Sequence, residues 1–184
     1  MIVNDEEFEA DELIVQVQQQ ITVLNTAPQS LKDGTGTVTG DQLYIIPQDA
    51  DGVSSPILGI GTEELEQPAG TTWSDVTFTL NSSTGPGQFS LYTNDAGTFT
   101  FNISEALGTD TFTFAPGGHE EQNWAFTEPG TYVLNFTASA TRTVGGTPEI
   151  FTSTQDFTFS TVPEPSSALL AGLSALGFLV RRRK

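Results

Sequence analysis

His119 is the only histidine in the chain, and Glu121 follows it two residues later. On an extended strand, positions i and i+2 share a face, so this spacing sets an imidazole beside a carboxylate where a divalent ion could be held. Two candidate ligands fall short of the three or four that zinc takes. The competing reading is a solvated loop edge, with Asn123 or Trp124 hydrogen-bonded locally. Asp49-Ala50-Asp51-Gly52 has the Asp-x-Asp-Gly look of a calcium loop, but the helix-flanked pattern around such loops is missing, and a surface turn is expected there. No cofactor is required, and calcium or zinc are the ions to weigh.

Catalytic constellations are poorly supplied. The chain has no cysteine, which excludes thiol nucleophiles. No Gly-x-Ser-x-Gly elbow is present, and a Ser-His-Asp device would have to use His119. Glycoside hydrolysis needs only two carboxylates at a set distance, and no pair stands out among so many acids. Gly85-Pro86-Gly87 precedes a strand as a turn and is no phosphate cradle. The expectation is a protein without enzymatic activity, with a secreted hydrolase as the weaker alternative.

The elements that position these residues read as strands and turns. Val76, Phe78 and Leu80 alternate with Thr77 and Thr79. Phe89 and Leu91, then Phe99, Phe101 and Ile103, alternate around Asn94-Asp95-Ala96-Gly97, which predicts a hairpin over 88–104. Phe112 and Phe114 make a short strand. Tyr132, Leu134 and Phe136 open a longer one to Val144, turned by Gly145-Gly146. Ile150 and Phe151 lie on the return, and Phe157 and Phe159 form a last strand. Upstream, Leu13 to Leu24 reads as one or two strands and Gln42 to Pro47 as another. Asp33 to Gly40 reads as a Gly/Thr-rich loop, and Thr62 is placed to cap one helical turn. Trp124 and Phe126 read as a strand paired with the one that follows. Period-two alternation in eight or nine strands predicts an all-β fold, a sandwich of two antiparallel sheets (Ig-like or jelly-roll-like) with the Phe residues inside.

Charge divides the chain. It carries 6 basic and 23 acidic residues, a net of −17. Four of the basic residues fall after Thr161, with one acid, Glu164, so residues 1–161 hold 2 cations against 22 acids. Such a body repels nucleic acid and anionic lipid. Residues 1–161 are expected to form one β-sandwich domain with its own core and no disulfides.

Residues 162–184 are of a different kind. Val162-Pro163-Glu164-Pro165 leads into an apolar run that includes Ala168, Leu169, Leu170, Leu173, Leu176, Phe178, Leu179 and Val180. The chain closes on Arg181-Arg182-Arg183-Lys184. A short hydrophobic helix with a basic end stops in a bilayer with its cations in the cytoplasm. The run spans roughly 20 Å as a helix, short of the roughly 30 Å hydrocarbon core, which suits a brief stop better than a permanent span. This three-part tail resembles the PEP-CTERM sorting signal of Gram-negative bacteria that make exopolysaccharide. The resemblance implies export, transient residence in the inner membrane, and processing near Pro163-Glu164-Pro165 by an exosortase-type membrane transpeptidase. It then implies a place at the cell surface or in the extracellular matrix, with exopolysaccharide or envelope components as partners. Met1 to Ala10 is acidic and lacks a signal peptide, so the sequence is expected to continue upstream.

The body resembles the choice-of-anchor M domain of bacterial surface proteins. The matching pieces are Tyr44-Ile45-Ile46-Pro47-Gln48, Gly61-Thr62-Glu63, Gly85-Pro86-Gly87-Gln88-Phe89-Ser90-Leu91-Tyr92, and Gly118-His119 through Asn123-Trp124-Ala125-Phe126 to Pro129-Gly130-Thr131-Tyr132. In that family a second His usually follows the first by two positions, where this chain has Glu121. The resemblance implies a surface body, with a metal- or glycan-binding module as the alternative role.

Overall fold

The computed structural model describes residues 13–49, 57–65 and 67–162, together with the backbone of Ile2–Val3 and Glu6–Glu7. The last two form strands β1 and β2, paired antiparallel. Next come β3 (Ile14–Val17), β4 (Gln19–Thr22), helix α1 (Gln29–Thr35), β5 (Gln42–Ile46), β6 (Gly59–Gly61), β7 (Thr71–Trp73) and β8 (Val76–Thr84). The remainder are β9 (Phe89–Asp95), β10 (Thr98–Ser104), β11 (Thr111–Phe114), β12 (His119–Glu121), β13 (Asn123–Phe126), β14 (Gly130–Val144) and β15 (Thr147–Thr161). The chain is mostly β, with one short helix among the described residues. The expected apolar helix from Ala168 to Val180 and the sorting residues beyond Val162 lie outside the described residues.

Two large sheets carry the body. One runs β10-β9-β13-β5-β4, and the other β11-β8-β14-β15-β3, with β7 beside the far end of β14. Pairing is antiparallel except for β3, which lies parallel to β15. The alternating aromatic residues explain why the sheets face each other. Phe89, Trp124 and Phe126 from the first sheet meet Tyr132, Phe136 and Phe159 from the second in one buried cluster. Phe126 and Phe159 have ring centroids 5.2 Å apart, and Trp124 stacks on Phe159 at 5.3 Å. Each such side chain contributes about 1.5–3 kcal/mol through burial, and about 0.5–1.5 kcal/mol more for a well-placed ring pair.

Four local readings are corrected. Gln29–Thr35 is helical where a loop was expected over 33–40. The turn that α1 makes buries Leu31 and sets Gly34 against the Phe101 ring, where a Cβ would clash. Gly36, at φ 69°, ends the helix in the left-handed region that glycine favours. The Gly34 carbonyl accepts from Ser90 Oγ at 2.9 Å and Ser104 Oγ at 2.6 Å, which fastens the helix end to β9 and β10. Together with Leu43, Ile45, Tyr92 and Ala125, the helix builds a second apolar cluster on the outer face of the five-stranded sheet. Both faces of that sheet are therefore buried.

The second correction concerns β13, which pairs with β5 and β9 and not with the strand that follows it. The Glu128-Pro129-Gly130 corner carries the chain across to the other sheet. Tyr132 is fully buried there, and its hydroxyl donates to the Glu128 carbonyl at 2.9 Å while the Glu128 N–H donates to it at 3.1 Å. Tyr132 thus packs at the sheet corner that Pro129-Gly130 turns. Third, Thr62 caps no helix. Its hydroxyl donates to the Ala115 carbonyl at 2.7 Å and accepts from the Gly118 N–H at 3.1 Å, so it pins two loops together. Fourth, residues 147–161 form one continuous strand paired along its whole length with β14.

Candidate functional site

His119 and Glu121 sit on β12, which pairs with β6 so that His119 faces Gly61 and Glu121 faces Gly59. As the spacing predicts, the two side chains come together: His119 Nε2 is 3.0 Å from Glu121 Oε1. Glu63, just past β6, approaches the other nitrogen, with Nδ1 2.8 Å from its Oε2. The two glycines make room for this arrangement. A Cβ on Gly59 would stand 2.8 Å from His119 Nε2, and one on Gly61 would stand 3.2 Å from Nδ1.

Both imidazole nitrogens face carboxylate acceptors, and only the imidazolium can donate from both. The hydrogen bonds to Glu121 and then Glu63 raise the His119 pKa above its ordinary value. The ring is 44% exposed, so this is a surface ion triad. Among the described residues, both nitrogens meet carboxylates and neither meets a hydroxyl. Among the described residues, no group of three or more His, Asp or Glu side chains is placed to hold a metal ion. Asp49 is described, but Ala50, Asp51 and Gly52 of the candidate calcium turn lie outside the described residues.

The β6–β12 ribbon is held against the body from beneath. Trp124 Nε1 donates to the Leu58 carbonyl at 2.8 Å, and Asn123 Oδ1 accepts from the Gln48 N–H at 3.0 Å. These partners are far away in sequence and not local. Between the ribbon and the six-stranded sheet lies an apolar cavity of about 360 Å³, walled by Leu58, Ile60, Phe78, Trp124, Phe136 and Phe157. A second cavity, wider at about 610 Å³, shares Leu58, Gly59, Gly61, Phe78 and Ala138 with the first. His119, Glu121, Glu63 and Glu64 line it. An acidic mouth therefore adjoins a greasy slot.

Sequence reading missed Glu63, which is 56 residues from His119. The alternating Gly59-Ile60-Gly61 is the one local sign that a side chain lies across this strand. Gln122 was missed as well. It is fully buried, with Oε1 accepting from Asn102 Nδ2 at 2.9 Å.

A different surface covers the outside of the six-stranded sheet. Thr111, Thr79, Thr137 and Thr154 stand in register across β11, β8, β14 and β15. Thr113, Thr77, Ser139 and Thr152 form a second such row two residues along. Strand geometry sets the hydroxyls on a net of about 4.8 Å by about 6.8 Å. Thr137 and Thr154 share a hydrogen bond of 2.8 Å, and no charged residue interrupts either row.

The end of β15 is firmly held. Thr161 is 3% exposed; its hydroxyl donates to the carbonyls of Glu128 and Gly130 at 3.1 Å and accepts from the Gly130 N–H at 2.7 Å. The Val162 N–H reaches the Val17 carbonyl, and the Val162 side chain is already in solvent.

The PEP-CTERM protein-sorting motif matches residues 161–184. The chain therefore carries a C-terminal sorting signal of the kind that exosortase membrane enzymes recognise on exported proteins bound for the cell surface. The match covers the tail alone, and no family model supports the resemblance of the body to choice-of-anchor M. No curated protein and no solved structure matches the chain.

Proposed function

We propose that this protein is a non-catalytic component of the cell surface or extracellular matrix, a β-sandwich scaffold delivered by its tail and released or re-anchored there by an exosortase. The observation that carries this reading is the sorting motif at residues 161–184, beginning where β15 ends. Residues 1–161 then act as the domain and residues 162–184 as the address. The Thr/Ser rows give the domain a neutral, hydroxyl-rich face within a strongly acidic chain. That face suits contact with a hydrated, uncharged polysaccharide, while the acids keep neighbouring copies apart. A metal-binding role gains no support from the triad, because its imidazole is already shared between two carboxylates.

The test is the C-terminus of the mature protein. With an in-frame signal peptide, in a host that carries an exosortase, the surface fraction should yield peptides ending near Pro163-Glu164-Pro165 and none containing Arg181. Replacing Glu164 and both flanking prolines by alanine should leave the protein unprocessed. Intact chains ending at Lys184 in the cytosol, in the presence of an active exosortase, would refute the reading.

A further inference from the structure

We propose that two copies of this chain pair edge to edge through β15, antiparallel about a two-fold axis at Thr152, joining their six-stranded sheets into one.

β15 is paired with β14 along its whole length, but on its other side β3 covers only residues 158–161. Among the described residues, no strand lies against that side of residues 147–157. The backbone is aimed there. The Ser74 N–H donates to the Thr141 carbonyl and the Thr141 N–H donates to Ser74 Oγ, so Thr141 faces away from β15. Alternation along the unbroken antiparallel ladder then turns the N–H and C=O of Ile150, Thr152 and Thr154 to the outer edge, as Val162 turns its own to Val17. Open edges of this kind are usually blunted by charge. Here Ile150-Phe151-Thr152-Ser153-Thr154-Gln155 is uncharged in a chain of net −17. Ile150, at 76% exposure, is the barest large apolar side chain among the described residues.

The length and charges of the edge select a second copy as its partner. Residues 147–157 are centred on Thr152, so self-pairing over the whole free edge sets Thr152 opposite its own counterpart. Thr154 then faces Ile150, Asp156 faces Pro148 and Glu149 faces Gln155. Thr147 faces Phe157, just short of Thr158, where pairing with β3 begins. No two carboxylates meet. A slip of one residue would set Glu149 against Asp156 and put side chains of the outer face opposite those of the inner face. The centred register forms about eight main-chain hydrogen bonds, Pro148 having no N–H to give, and it covers Ile150. It also runs Thr113, Thr77, Ser139 and Thr152 into the same row of the second copy, so the hydroxyls continue unbroken across both sheets. This pairing does not depend on how the protein is sorted or on what the hydroxyl face touches.

The experiment is sedimentation velocity on the full chain at about 100 μM, where an interface of one strand pair, at the small end of specific contacts, should be populated. Acids elsewhere on the two copies oppose their approach, so the dimer fraction should rise between roughly 0.05 and 0.5 M NaCl as salt screens them. Thr152→Pro removes the central edge N–H without touching the ladder to β14, and Thr152→Glu sets two carboxylates opposite each other at an exposed site where folding is unaffected. Each should lower the association constant about tenfold or more. Oxidation reads the register. The chain has no cysteine, so Thr152→Cys should give a disulfide-linked dimer across a pair about 5.5 Å apart at Cα. Ser139→Cys, in the same row but one strand inward, stands about 14 Å from its counterpart and should stay reduced. A monomer at every salt concentration would overturn the proposal. So would association that survives both Thr152→Pro and Thr152→Glu, as clustering of apolar tails would, or equal cross-linking of Ser139→Cys and Thr152→Cys.

Discussion

Tyr132→Phe isolates the corner where the chain passes between the sheets. The substitution keeps the ring, which packs on Phe126 at 4.7 Å between centroids, and removes only the hydroxyl. Two bonds are lost, one given to the Glu128 carbonyl and one taken from the Glu128 N–H. The carbonyl keeps Thr161 Oγ1 at 3.1 Å, so the unpartnered group is the N–H. Each bond contributes about 0.5–1.5 kcal/mol net. Glu128 is itself exposed, which lets water take over part of the loss, so the expected cost is about 1.5 kcal/mol. For a domain of this size that corresponds to a fall of roughly 3–6 °C in Tm. Urea unfolding should show the midpoint moving with an unchanged m-value. Because Thr161 uses the same carbonyl, Tyr132→Phe and Thr161→Val should be non-additive by about 0.5 kcal/mol or more in a double-mutant cycle. A single-variant loss under about 0.5 kcal/mol together with strict additivity would show that the corner is held by ring packing alone.

Gly85→Ala should destabilise by about 1–3 kcal/mol in the same urea assay, because its Cβ would meet the ring of the buried, immobile Tyr132; an unchanged midpoint would refute that packing. For His119, the folded-state pKa lies above the unfolded value, so the stabilisation is complete below about pH 6.5 and is lost as pH rises through the raised value. The difference in unfolding free energy between the native chain and His119→Gln should therefore be largest near pH 6 and vanish at alkaline pH, with a size under about 1 kcal/mol for so exposed a triad; a difference that grows with pH would contradict the geometry. Burial raises the pKa of all three tyrosines, Tyr44, Tyr92 and Tyr132. Stability is thus retained below about pH 10 and lost above it, and phenolate absorbance should rise together with unfolding. Three independent transitions near pH 10 in the folded protein would oppose this.

The strands of the six-stranded sheet were readable because one face of each is wet. Val76, Phe78 and Leu80 against Thr77 and Thr79, and Tyr132, Leu134 and Phe136 against their polar neighbours, announce period two directly. Helix α1 was hidden for the opposite reason. It is seven residues long, starts without a side-chain cap and contains Gly34. Its stability comes from docking on β9 and β10, which no local pattern records. The partners of β13 were equally hidden, since Pro129-Gly130 signals a turn but not that the turn leaves the sheet. At the candidate site the His119–Glu121 pair follows from strand periodicity. Glu63 joins them only through the pairing of two three-residue strands, and the apolar slot behind them is a property of layers meeting.

The two sheets are unequal, and that inequality narrows where function can reside. The five-stranded sheet is covered on one face by the other sheet and on the opposite face by α1, so β9 buries Phe89, Ser90, Leu91, Tyr92 and Thr93 in succession. It has no broad face left to present. The six-stranded sheet buries Leu80, Tyr132, Leu134 and Phe159 on its inner side and turns the Thr/Ser rows outward. Thr suits strands through its branched Cβ whatever its neighbours, so a chance distribution would scatter these residues over both faces and out of line. Seven Thr and Ser139 instead stand in two unbroken rows across four strands in a chain of net charge −17. These hydroxyl rows support the proposed contact with an extended hydrated partner, and the sorting motif begins at the end of β15 in this same sheet.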